Sequence, residues 1–132
     1  AGSECAIVRN VDILSDLDIL KMVDHHRQSG SLATLAVRNR VTSRYLLFDE
    51  GMQLSGWENR GTNETRIVRD SPSWMPFAFS GIQVLSPDIY NLITETGKFS
   101  LTDLYLRLAG ERKITGYLDD GRIWQDVGRM NH

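Results

Sequence analysis

The sequence predicts an α/β fold built on a mixed sheet, and three observations predict it. Short apolar runs alternate with a helical pattern over residues 5–38. Two further runs, 45–48 and 53–57, flank Asp49-Glu50-Gly51-Met52, which is the pattern of a β-hairpin. The second half adds strand patterns at 77–85, 113–118 and 122–127, with helical patterns between the first two. Parallel strands are expected near the start of the chain and antiparallel ones near the end.

Taken in order, residues 5–9 (Cys-Ala-Ile-Val-Arg) read as a central strand, with Cys5 buried in it. Ser15 is the expected N-cap of the first helix, with Asp16 and Asp18 at the positive end of its dipole. Ile19, Leu20, Met22 and Val23 give that helix an apolar face as far as about Gln28. Gly30 is placed to stop it in the left-handed conformation. Residues 32–38 form the next strand, so a right-handed parallel β-α-β crossover is the default. Residues 58–64 are polar and loop-like, and 65–69 suit an edge strand.

The strand at 77–85 carries Ser80-Gly81 inside it, a sign that its backbone approaches another group closely. Ser86-Pro87-Asp88 has proline where a first helical turn accepts it, with a helix expected to about Thr94. Ser100 starts another helix, with Leu101, Leu104, Tyr105 and Leu108 on one face. Asp119-Asp120-Gly121 reads as a tight turn before the last strand.

Composition narrows the function. The 132 residues, 41% hydrophobic, suit one domain spanning 1–132. The 15 basic and 17 acidic residues are interspersed and give a net charge of -2, which argues against a nucleic-acid partner. A single cysteine builds no disulfide framework and points to a reducing, cytoplasmic setting. No apolar run approaches the ~20 residues of a membrane span, and no signal-peptide pattern opens the chain. Ala1 stands where an initiator methionine would, so further sequence upstream is expected.

Ligands of open α/β sheets bind beyond the carboxyl ends of strands. That rule selects Asp12, after the first strand, and Asp126 near the last. Two carboxylates from distant parts of a chain can hold Mg²⁺, which takes few protein oxygens and completes its shell with water and substrate phosphate. Spacing alone reads them more readily as a turn cap and a local hydrogen-bond acceptor. His25-His26 does not chelate one ion, since adjacent helical positions point about 100° apart, and is expected on a solvated face. Trp57, Trp74 and Trp124 read as core or lid residues, with Trp74 in a loop that could cover a pocket beside Ser80.

Three segments then occur in order: Asn10-Val11-Asp12-Ile13-Leu14, Phe79-Ser80-Gly81-Ile82 and Trp124-Gln125-Asp126-Val127-Gly128. Together they resemble the later motifs of the sugar-phosphate nucleotidyltransferases. That family includes mannose-1-phosphate guanylyltransferases, glucose-1-phosphate thymidylyltransferases and N-acetylmuramate-1-phosphate uridylyltransferases. The resemblance implies a mixed-sheet, Rossmann-like nucleotidyltransferase fold, of which this chain is the acceptor side. It implies that Asp12 and Asp126 are the catalytic aspartates and ligate Mg²⁺. It implies that Asn10, Ser80 and Gly81 bind substrate, with Gly81 letting the sugar lie against the backbone. The implied substrates are a sugar 1-phosphate and an NTP.

Two departures qualify the resemblance. The family's opening Gly-x-Gly-Thr-Arg-Leu-x-Pro-x-Thr motif has no counterpart in the 132 residues, so NTP binding is expected to depend on a missing N-terminal half. The isolated chain is therefore expected to be inactive and to expose a sheet edge that favours a homodimer. Where many relatives carry Glu-Lys-Pro after the hairpin, this chain reads Glu58-Asn59-Arg60-Gly61-Thr62-Asn63-Glu64. The alternative function is a non-catalytic module that binds sugar phosphate or serves assembly.

Overall fold

A computed structural model of the chain describes residues 5–9, 13–119, 121 and 124–126, with the backbone alone at 13, 14, 125 and 126. The long strand β7 (Met75–Leu85) organises the rest. Its first three residues pair with β4 (Arg44–Phe48), and its later ones pair with β3 (Ala33–Arg38) and β1 (Ala6–Arg9). Beyond β4 lie β5 (Leu54–Asn59) and β6 (Glu64–Ile67), and beyond β3 lies β8 (Ile114–Leu118). The result is a seven-stranded mixed sheet ordered β6-β5-β4-β7-β3-β8, with β1 also on β7. A separate antiparallel ribbon joins β2 (Ile13–Ser15) to β9 (Trp124–Asp126).

Both faces of the sheet are covered, which is why β3 and β7 read as nearly continuous apolar runs. On one face α1 (Ile19–Ser29) packs Met22 and Val23 against Ala36, Ile82 and Val84. On the other, α2 (Leu101–Ala109) packs Leu104, Tyr105 and Leu108 against Leu35, Phe48, Leu54 and Ile114. Tyr105 ties the layers together. Its hydroxyl, raised above the ordinary phenol range by burial, donates to Gln83 Oε1 at 2.7 Å. Gln83 Nε2 in turn donates to the Val8 carbonyl at 2.9 Å, fixing β1 in register on β7.

Several expectations hold. The hairpin β4–β5 forms, with Met52 at φ 61 closing its turn, and β6 is the edge strand. Gly30 ends α1 at φ 66, and Ser100 caps α2 by accepting from the Asp103 amide.

Others are corrected. Residues 5–9 are not a buried central strand: Ile7, Val8 and Arg9 are exposed, Cys5 is half-buried, and among the described residues β1 pairs with β7 alone. β1 and β3 do run parallel around α1, but β7 lies antiparallel between them. Among the described residues only β3 and β8 form a parallel ladder, so antiparallel pairing also dominates the start. Asp18, not Ser15, caps α1, because Ser15 is still extended in the ribbon and its Oγ accepts from the Leu17 amide instead. The segment after Ser86 closes as a short 3₁₀ turn, Pro87–Asn91. The Ser86 hydroxyl makes no cap there because two tertiary partners take it.

One of those partners is His26, which is buried rather than solvated. Its Nδ1 lies 2.7 Å from Thr34 Oγ1 and its Nε2 lies 2.8 Å from Ser86 Oγ. Ser86 has one proton and gives it to the Ser31 carbonyl at 2.9 Å, so its oxygen accepts from Nε2–H. His26 is thereby the neutral Nε2–H tautomer, with Nδ1 accepting from Thr34. Burial, then the neighbouring His25 and Arg27, holds its pKa below the ordinary 6.5. The unfolded chain binds the proton first, so stability is complete above about pH 6.5 and falls as the pH drops below it. Thermal melts between pH 7.5 and 5.5 should show this loss in the native chain. In His26→Gln the pH dependence should flatten.

Candidate functional site

The site is assembled where β1 and β3 end and β7 distorts. Leu35 pairs with Gln83 and Val37 pairs with Phe79, so β3 advances two residues while β7 advances four. The surplus is a bulge in β7 that contains Ser80 and Gly81. Gly81 sits there at φ 84, a left-handed conformation in which a side chain costs about 1–2 kcal/mol. Bulges of this kind bend a strand and re-aim its groups, and they gather beside active sites. Ser80 is fully buried and, among the described residues, its Oγ has no hydrogen-bond partner. A buried hydroxyl without a partner is uncommon and calls for a polar group to meet it.

The ribbon reaches this bulge through Trp124, whose indole N–H donates to the Ser80 carbonyl at 2.8 Å. In the ribbon Trp124 pairs with Ser15, and Asp126 pairs with Ile13. The end of β3 holds the same ribbon from the side. The Arg40 guanidinium stacks on the Trp124 ring, 4.2 Å from its centroid. Arg38 forms an ion pair with Asp119 at 3.0 Å and donates to the Gly121 carbonyl at 2.8 Å. Asp119 also accepts from the Gly121 amide at 3.0 Å, while its own amide donates to the Val37 carbonyl at 2.7 Å. A Cβ on Gly121 would collide with the Asp16 carboxylate, so the loop closes tightly against the end of β2.

Asp119 and Gly121 also border a cavity of about 730 Å³ between the start of α1 and the end of β8. Met52, Met75, Phe77 and Tyr117 give it an apolar floor. A second cavity, about 430 Å³, opens at the opposite end of the strands beside Cys5 and His26.

The residues singled out from sequence fall as follows. Ser80 and Gly81 form the bulge. Asp126 lies in β9, where its backbone is described, opposite Ile13. Asn10 and Asp12 lie outside the described residues. Trp74 is exposed in the loop before β7, and Trp57 packs against the core on the α2 side. Among the described residues no group of three or more His, Cys, Asp and Glu side chains is placed to hold a metal ion. That donor set would suit Zn²⁺ or Ca²⁺, whereas Mg²⁺ is held by one or two carboxylates with water and phosphate.

No protein-family model matches the chain, and no curated protein sequence matches it significantly.

Arg38, Arg40 and Asp119 were not singled out from sequence. The signal that could have found the arginines is Arg38-Asn39-Arg40, two cations two residues apart at the carboxyl end of a strand. Asp119 reads locally as a turn residue, and only its burial against Arg38 reveals the ion pair.

Proposed function

We propose that this chain is the acceptor side of a sugar-phosphate nucleotidyltransferase of Rossmann-like fold, and that it binds a sugar 1-phosphate together with Mg²⁺. The observation that carries the reading is the Ile13 to Asp126 pairing in a ribbon that Trp124 ties to the Ser80-Gly81 bulge. Three separate segments resemble one family's motifs, and that pairing and the Trp124 bond join two of them to the third. A chance resemblance gives no reason for segments so far apart in sequence to meet.

Asp12 and Asp126 would hold the ion, and their type and number fit it. Bound there, Mg²⁺ would neutralise phosphate charge and orient the reacting groups. The chain's own contribution is alignment. The resemblance gives the sugar contacts to Gly81 and Ser80, whose hydroxyl has no hydrogen-bond partner among the described residues; both are buried, so a sugar would reach them only once the chain around the bulge moves aside. In the complete reaction an oxygen of the sugar 1-phosphate attacks the α-phosphorus of an NTP. The bond to the β-phosphate breaks and pyrophosphate leaves. The nucleophile is already an anion, so no general base is required and positioning supplies most of the rate. NTP contacts are assigned to a part of the enzyme beyond this sequence.

The exposed apolar strand β1 supports a homodimer formed edge to edge, with Ile7 49% and Val8 37% exposed. Light scattering should give twice the chain mass, and a monodisperse monomer would contradict it.

Binding tests the function. Calorimetry with α-mannose 1-phosphate and α-glucose 1-phosphate should show uptake of at least one that requires Mg²⁺, and none of the free sugars. Mg²⁺-independent binding, or no binding of either phosphate, would overturn the reading. A complete protein that binds sugar phosphate but releases no pyrophosphate from any NTP would favour a binding or assembly module.

A further inference from the structure

We infer that Arg38 and Arg40 are positioning residues, a two-point latch that holds β9, and with it the backbone of Asp126, in the ribbon that Trp124 anchors to the Ser80-Gly81 bulge. The inference rests on the proposed metal site, and adds which side chains place it.

A two-strand ribbon of three residues per strand has little stability of its own. It must be held by what it touches. Two of the contacts that hold it come from one short stretch of chain, the end of β3. Arg38 grips the loop that enters β9 at its beginning, through Asp119 and the Gly121 carbonyl. Arg40 grips the same loop at its end, by stacking on Trp124. Between them Trp124 bonds to the Ser80 carbonyl. Asp126 follows two residues later in β9, with its backbone paired to Ile13 of β2.

The chemistry favours arginine at both points. At Arg38 the flat guanidinium reaches a carboxylate and a carbonyl with different nitrogens. At Arg40 it lies over an indole face, where a cation is attracted by the ring's electron density. Neither residue needs to touch substrate for this role. A shift of about 1 Å in a ligand's position is enough to impair a metal site or a reaction geometry.

Arg40 is the better probe, because its contact with the Trp124 ring is the one that an indole resonance reports directly. The protein would be labelled with 5-fluorotryptophan, the Trp124 ¹⁹F resonance assigned by its absence in Trp124→Phe, and Mn²⁺ titrated by calorimetry. In Arg40→Ala, Mn²⁺ affinity should fall about tenfold and the Trp124 resonance should move. Arg40→Lys keeps a cation over the ring and should recover part of both, to within about threefold of the native affinity.

A moved resonance with unchanged Mn²⁺ affinity would overturn the positioning role and leave a purely structural clamp. An unmoved resonance, or no recovery in Arg40→Lys, would overturn the latch. If the native chain binds no Mn²⁺, the metal site is contradicted instead. The latch then stands or falls on whether the Trp124 resonance moves in Arg40→Ala and returns in Arg40→Lys.

Discussion

Replacing Arg38 with alanine is expected to destabilise the chain by about 3–5 kcal/mol, the loss that follows when one partner of a buried ion pair is removed. The partner left behind is Asp119, whose side chain is 0% exposed. Its Oδ1 keeps the Gly121 amide, but Oδ2 loses the cation beside it at 3.0 Å. The Gly121 carbonyl loses its donor as well. The pair itself is a weak source of net stability, because both charges had to leave water to form it. Arg38→Met with Asp119→Leu should therefore recover much of what Arg38→Ala loses. Urea unfolding of the single and double variants measures both effects. A loss below about 1 kcal/mol for Arg38→Ala would show that water reaches Asp119 and that the pair does not hold the loop.

Asp126→Asn should leave folding nearly intact and lower Mn²⁺ affinity by roughly tenfold or more. Asparagine keeps the size and one oxygen of aspartate but removes a full negative charge, and hard divalent cations are held chiefly by such charges. Disrupting even residues that only orient a metal ligand typically costs 10–100-fold, so losing a ligand's charge should not cost less. β9 pairs with β2 through backbone groups, which the substitution does not alter. Calorimetry with Mn²⁺ and a melting curve, run side by side, separate the two properties. Equal affinity in both proteins would remove Asp126 from the site. A collapse in melting temperature would make it a structural residue instead.

Much of the fold was legible because periodicity and punctuation report local structure. Gly30 and Ser100 mark helix ends by mechanisms that need only nearby backbone, and the structure bears both out. Asp49-Glu50-Gly51-Met52 likewise carries its turn in its own residues. The failures share a cause, which is that tertiary partners decided the outcome. Ser86 has the sequence of a helix cap, but His26 and Ser31 claim its hydroxyl. His26 has the sequence of a surface residue, but Thr34 and Ser86 accommodate it inside. Residues 5–9 are as apolar as a central strand, and nothing local in them states that only β7 would pair with them among the described residues.

The candidate site divides in the same way. Ser80-Gly81 was visible as an oddity within an apolar strand, and the bulge with its positive φ is the reason. Arg38 and Arg40 were not visible, because Asp119 and Trp124, which they meet, lie more than eighty residues away in sequence. Resemblance pointed to Asp12 and Asp126, while spacing alone favoured lesser roles for both.

Paramagnetic broadening tests most directly whether a divalent cation binds where the β2–β9 ribbon meets the Ser80-Gly81 bulge. Substoichiometric Mn²⁺ would be added to ¹⁵N-labelled protein and the loss of each amide signal followed. Ile13, Gly81 and Asp126 should lose their signals first, and Asp126→Asn should spare them. Broadening centred elsewhere, as at Asp24 on α1, with these three signals untouched, would contradict binding there.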